Sequence, residues 1–204
     1  MANENIGEHP EGNALSRLAR EMFRPERYRW WHALAFGVGA NAISTLATGR
    51  NTYDREYYER MRQAPFAPPG WLFGPAWTLN NASVLWGNLR LLNQPEDVPN
   101  RRGLLWLQAA SWLVYASFGY VYFRKRSPIL AFVWTAADWA LTVASVILSL
   151  KNDKKITLSL GTLLAWLTLA TPAAAYQAAS NPDDLFGTPA LRRWSNLQRD
   201  RPPS

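Results

Sequence analysis

The stretch Pro128–Leu150, PILAFVWTAADWALTVASVILSL, decides the fold. Its 23 residues hold one charged side chain, Asp138, and basic clusters bound it at Arg124-Lys125-Arg126 and at Lys151, Lys154 and Lys155. A helix crosses the hydrocarbon core of a bilayer with about 20 consecutive, mainly apolar residues. Pro128 suits the first turn of a helix, where its missing N–H costs nothing. A soluble helix of this length would carry a charged stripe at helical spacing, and none is present. The stretch therefore reads as a transmembrane helix.

Four more segments of this kind extend outward from it. Ile156–Ala179 follows after a short charged turn and carries Pro172 as an expected kink. Gly103–Phe123 precedes the basic cluster, and before it Trp71–Leu92 carries Asn80, Asn81 and Asn88, which give it a polar face that should look inward. Trp31–Thr48 is the shortest, at about 18 residues. Segments two to five are joined by connections so short that consecutive helices must be antiparallel neighbours. Irregular backbone and open strands are not tolerated in lipid, so the expected fold is an all-α membrane protein, a bundle of five transmembrane helices. A long polar loop, Gly49–Gly70, separates the first two segments and closes on the sequence APFAPPG, whose Pro68 and Pro69 exclude helix.

Three regions follow. Residues 1–29 form a polar arm in which Asn13–Arg29 alternates apolar and basic positions, either as an amphipathic helix on the headgroups or as a solvated arm. Residues 30–179 form the membrane domain, and 180–204 a polar tail. The net charge is +7. Because Lys and Arg punctuate apolar segments instead of clustering on one module, the basic balance points to the lipid bilayer as partner, not to nucleic acid. The 22 cations divide evenly between the two sides of the expected bundle, so charge does not orient it.

The chain has no Cys and two distant His residues, His9 and His32, which leaves no thiol chemistry and no His-based metal site. Eleven Trp residues are the compositional mark. Those near helix ends suit the membrane interface. Trp77, Trp134 and Trp166 lie deeper; each is either core packing or, together, the wall of a pocket for a flat ligand. Asp138 is the one acid deep in a span. It is either a polar anchor in such a pocket or one end of an interhelical hydrogen bond to Asn80, Asn81 or Gln108.

The stretch Gln63–Trp77, QAPFAPPGWLFGPAW, resembles the signature of the TspO/MBR family, the tryptophan-rich sensory and translocator proteins. Pro65, Phe66, Pro68, Pro69 and Trp77 fit its pattern of a loop ending in two prolines and a helix with Trp about seven residues later. The five-segment layout and the Trp content agree. The resemblance implies a five-helix bundle, often a homodimer, that needs no cofactor. Its pocket takes porphyrins or other small, flat hydrophobic ligands, in a sensory, regulatory or transport role. It also raises light-dependent porphyrin breakdown, or a scaffold or transporter for pigment or lipid, as alternatives. Carried over by residue, Trp77 and Trp166 are pocket tryptophans, with Ala170 a small neighbour. Asp138 is the acid of the fourth helix, flanked by Trp134, and Asn81 supplies a polar contact. Phe66, Pro68, Pro69, Tyr57 and Tyr58 belong to the capping loop. The chain departs from the family at Trp112, Tyr115, Pro172 and Ala174, where relatives carry Asn, Trp, Tyr and Asn.

Overall fold

The computed structural model describes residue 16, residues 27–49 and residues 53–190, with the side chains of 53–56 left aside. The basic arm expected over Asn13–Arg29 and the end of the tail lie largely outside these residues. Six α-helices occur among the described residues: α1 (Trp30–Thr48), α2 (Tyr53–Arg60), α3 (Phe73–Leu92), α4 (Arg101–Gly119), α5 (Pro128–Leu150) and α6 (Lys154–Ser180). A 3-10 turn, Gly70–Leu72, leads into α3, and a π-turn, Tyr120–Arg124, extends α4.

Local chemistry fixes several of these ends. Ser127 caps α5 by accepting from the Leu130 amide at 3.0 Å, with Pro128 opening the first turn. Asp153 caps α6 through the Lys155 amide at 2.8 Å and pairs with Arg90 of α3, whose guanidinium holds its carboxyl below the usual range. Arg101 reaches back to the Leu91 and Leu92 carbonyls at 3.3 and 3.2 Å, placing a cation on the C-terminal end of α3. Helix α6 runs unbroken from Lys154 to Ser180 through Pro172.

Five helices close a ring in the order α1, α3, α6, α5, α4 and back to α1. Two glycines let the ring close. A Cβ on Gly87 of α3 would lie 2.0 Å from Ser159 Oγ of α6, and one on Gly119 would lie 1.8 Å from Thr48 Oγ1 of α1. Backbones that approach this closely pack by van der Waals contact where lipid offers no hydrophobic drive.

The ring buries an apolar core together with many polar side chains, and its outer face is apolar. Asn80, Gln108, Ser111, Asp138, Thr142, Ser145 and Ser149 are buried, while Leu46, Leu113 and Leu158 are each more than 70% exposed. On α5 the buried positions are 128, 131, 135, 138, 142, 145 and 149, a strict three-four spacing, and none is larger than Thr. Across this seam Ser111 donates to Asp138 at 2.5 Å, Gln108 donates to Ser145 at 3.0 Å, and Ser149 and Thr157 hydroxyls meet at 2.8 Å. The seam therefore ties α5 to α4 on one side and to α6 on the other.

Among the described residues three helices are long and apolar enough to cross a membrane: α4 with its π-turn (Arg101–Arg124), α5 and α6. The sequence reading counted five such segments. Helix α3 falls short because its asparagines lower its hydropathy, and α1 because it is built from Gly, Ala, Asn, Ser and Thr between its large residues. The segment read as a long polar loop, Gly49–Gly70, contains α2.

The glycine contact yields a paired test. Gly87→Ala should destabilise the bundle by about 1–3 kcal/mol through overpacking against Ser159. Gly161→Ala, where a Cβ meets nothing within 4 Å, should be neutral or slightly stabilising. Thermal unfolding in detergent micelles checks both.

Candidate functional site at the aromatic crossing

The candidate site grows from the first turn of α3. The 3-10 turn delivers Phe73, and one turn later Trp77 faces inward, half-buried. Trp166 of α6 meets both, with its ring 5.2 Å from Phe73 and 6.4 Å from Trp77, edge to face in each case. Tyr115 of α4 lies 5.2 Å from Trp77 on the other side, and Trp112 stands 5.4 Å from Tyr115. Phe36 of α1 closes the row against Trp112 at 5.0 Å. Six rings from four helices thus form one continuous contact. Such edge-to-face pairs add about 0.5–1.5 kcal/mol each beyond area burial.

A polar thread runs through this cluster. The Tyr115 hydroxyl accepts from Asn81 Nδ2 of α3 at 2.9 Å and donates to Asn41 Oδ1 of α1 at 2.7 Å. Asn41 in turn donates to the Gly37 carbonyl at 2.8 Å. One hydroxyl therefore joins three helices beside Trp77. Trp112 Nε1 of this row is buried without a protein partner, as are Asn80 Nδ2, Gln108 Oε1, Thr142 Oγ1 and Thr162 Oγ1 elsewhere in the ring. In hydrocarbon such groups are costly to leave unpaired.

The first loop reaches the cluster through Tyr58. Its ring packs 5.4 Å from Phe73 and against Gly70, and burial raises its hydroxyl pKa. Tyr57 points elsewhere, to the π-turn, where its ring lies 5.5 Å from Tyr122. Burial, with the Asp184 and Asp183 carboxylates behind it, holds its hydroxyl well above the usual phenol range. Pro68 is half-buried, and Phe66 and Pro69 are exposed.

The expected site residues thus divide into groups. Trp77, Trp166, Asn81 and Tyr58 come together, and Ala170 sits half-buried one turn beyond Trp166. Asp138 and Trp134 belong to the α4–α5 interface: Asp138 pairs with Ser111, and Trp134 Nε1 donates to Ser117 Oγ at 2.9 Å. Of the two alternatives weighed for Asp138, the structure has the interhelical hydrogen bond, but to Ser111 and not to Asn80, Asn81 or Gln108. Phe73 and Asn41 were not singled out from sequence. A signal for Phe73 existed, since it lies four residues before Trp77 and so on the same helix face. An open apolar groove of about 570 Å³ lies away from the cluster, on the outer face of α4 and α5 between Trp106 and Ile147.

A polytopic helical bundle, apolar outside, with a tryptophan crossing beside a proline-rich loop, is a defined class of integral membrane protein. The profile of the TspO/MBR family matches residues 32–178, and the chain belongs to that family. It is a multi-pass membrane protein. Membership supports a ligand-binding, transport or sensory role in general terms. No curated protein matches the chain significantly.

The polar thread gives the second prediction. Tyr115→Phe keeps the ring contacts and removes both hydrogen bonds, and should cost about 1–2 kcal/mol of stability. Reversible unfolding in mixed micelles measures it; an unchanged midpoint would mean that the thread does not hold the three helices.

Proposed function

We propose that the protein binds a flat hydrophobic ligand of the tetrapyrrole class inside a five-span bundle, and that the aromatic crossing is the binding site. The observation that carries this reading is the row of rings from Phe73 to Phe36, which brings four helices to one place directly beneath Tyr58 of the first loop. Aromatic walls stack on flat rings regardless of substituents. The Trp112 indole N–H and the Asn81–Tyr115–Asn41 thread can meet the nitrogen or carboxylate edge of such a molecule. Trp77 and Trp166 stand too close, at 6.4 Å and edge to face, to sandwich a ring between them. The ligand therefore lies against the pair, with the loop above it as a lid.

Five spans follow in this reading from α1 and α3 lining the same ring. Helix α1 has 19 residues and α3 has 20, each about 30 Å long at 1.5 Å per residue. The outer side of α1 presents Trp30, Leu34, Val38, Ile43 and Leu46, all more than half exposed, which only lipid would cover over that length. A role in sensing or transport would use the same pocket.

Titration of protoporphyrin IX into the purified protein, followed by tryptophan quenching, tests the reading. Trp77→Ala with Trp166→Ala should weaken binding by roughly 10- to 100-fold, given about 0.7–1.4 kcal/mol lost per stacking ring. Equal affinity in the double variant would remove the pocket from this crossing.

A further inference from the structure

The residues after α6 play no part in the pocket itself, yet they carry the most fully bonded side chain beside the lid. Asn181 is 5% exposed. Its amide group pairs with the backbone of Arg62 in both directions: the Arg62 N–H donates to Oδ1 at 2.8 Å, and Nδ2 donates to the Arg62 carbonyl at 3.0 Å. Nδ2 also donates to the Gln177 carbonyl, one turn back on α6, at 2.8 Å. Gln177 itself donates to Gln63 Oε1 at 3.2 Å, and Gln63 Nε2 donates to the Tyr58 carbonyl at 2.8 Å. From Tyr58 the contact passes by ring packing to Phe73 and Trp166.

The same segment is anchored independently. Asp183 is 2% exposed and accepts from Ser127 Oγ at 2.6 Å and from the Ile129 amide at 3.0 Å, at the start of α5. Its other oxygen takes the Leu185 and Phe186 amides, each at 3.0 Å. Burial alone would raise its pKa, but these donors outweigh it and leave the carboxyl below its ordinary value. The lid is thus gripped by a residue whose own position is fixed on the bundle. The grip is on backbone atoms, because the Arg62 side chain is exposed.

We infer that Asn181 is the positioning residue of the lid, a side-chain latch that sets how fast a flat hydrophobic ligand enters and leaves. The rate part rests on the pocket proposed above; the latch itself does not. A latch stabilises the closed lid with or without ligand, so losing it speeds entry and exit together and changes affinity little.

Hydrogen exchange of the full-length protein in lipid nanodiscs tests the latch without any ligand. In Asn181→Ala the Arg62 amide should exchange faster by at least about tenfold, as expected for losing hydrogen bonds to a shared partner. Asn181→Asp keeps an acceptor for that amide but loses both donors, and should fall between Ala and the parent. Asp183→Asn, which loosens the anchor on α5 but leaves the Asn181 pair, should speed Arg62 exchange clearly less than Asn181→Ala does. Stopped-flow mixing with protoporphyrin IX should then show association and dissociation rates both raised about tenfold in Asn181→Ala, with affinity within about threefold. Unchanged Arg62 exchange in Asn181→Ala overturns the latch, and so does an equal rise in Asp183→Asn. Faster exchange with unchanged porphyrin rates overturns control of ligand passage. Absence of porphyrin binding in the parent defeats the pocket reading, while the exchange data still decide the latch.

Discussion

Asp138 sits in the middle of a 23-residue apolar helix, and hydrocarbon gives its carboxyl no partner. An acid at that depth costs ~3 kcal/mol or more when left alone. Ser111 of α4 meets it at 2.5 Å, and this bond lies at the centre of the buried seam along α5. Because lipid tails are as apolar as leucine, helices in a membrane do not gain by hiding leucines from one another. They gain by close approach and by hydrogen bonds. The α5 seam supplies both, with small side chains at every buried position and polar links to α4 and α6. The other helices are arranged around that fixed trio.

The opposite side of the ring is built from the other extreme of side-chain size. Where α3 meets α6 near the first loop, large rings replace small residues, and Phe73, Trp77 and Trp166 fill the contact. Gly87 lower on α3 still lets the same two helices close against Ser159. The α3–α6 contact is therefore close-packed at Gly87 and filled by aromatic rings toward the first loop. Tyr115 stands at the junction of the two regimes, with its ring in the aromatic row and its hydroxyl in the polar thread.

Much of this was legible in the chain, and the reasons it was or was not are physical. Helix α5 begins and ends where the sequence placed it, because a proline, a serine cap and two basic clusters mark its ends independently of packing. The membrane character was legible because charge is absent over lengths that only a bilayer explains. The partner of Asp138 was not, because helical spacing tells which residues share a face but not how two helices are rotated against each other. The same limit hid the meeting of Asn41 with Tyr115, 74 positions apart. Helix α2 was missed because a strongly charged octet has no apolar period to betray it. Asn181 was passed over because a polar residue after a helix looks like tail until the backbone it grips is seen. Tyr115, one of the positions where the chain departs from the family pattern, brings a polar group into the bundle: its hydroxyl links two asparagines.

The central claim is that the guest lies at the aromatic crossing, and the eleven tryptophans make it directly measurable. Each indole N–H of 15N-tryptophan-labelled protein gives its own NMR signal, and a porphyrin ring shifts only those near its faces or edge. Adding protoporphyrin IX should move the indole signals of Trp77 and Trp166 strongly and that of Trp112 less. Outward-facing Trp71, Trp86 and Trp106 should stay in place. Shifts confined to Trp106, or to Trp134 and Trp139 on α5, would place the guest outside the crossing and contradict the account.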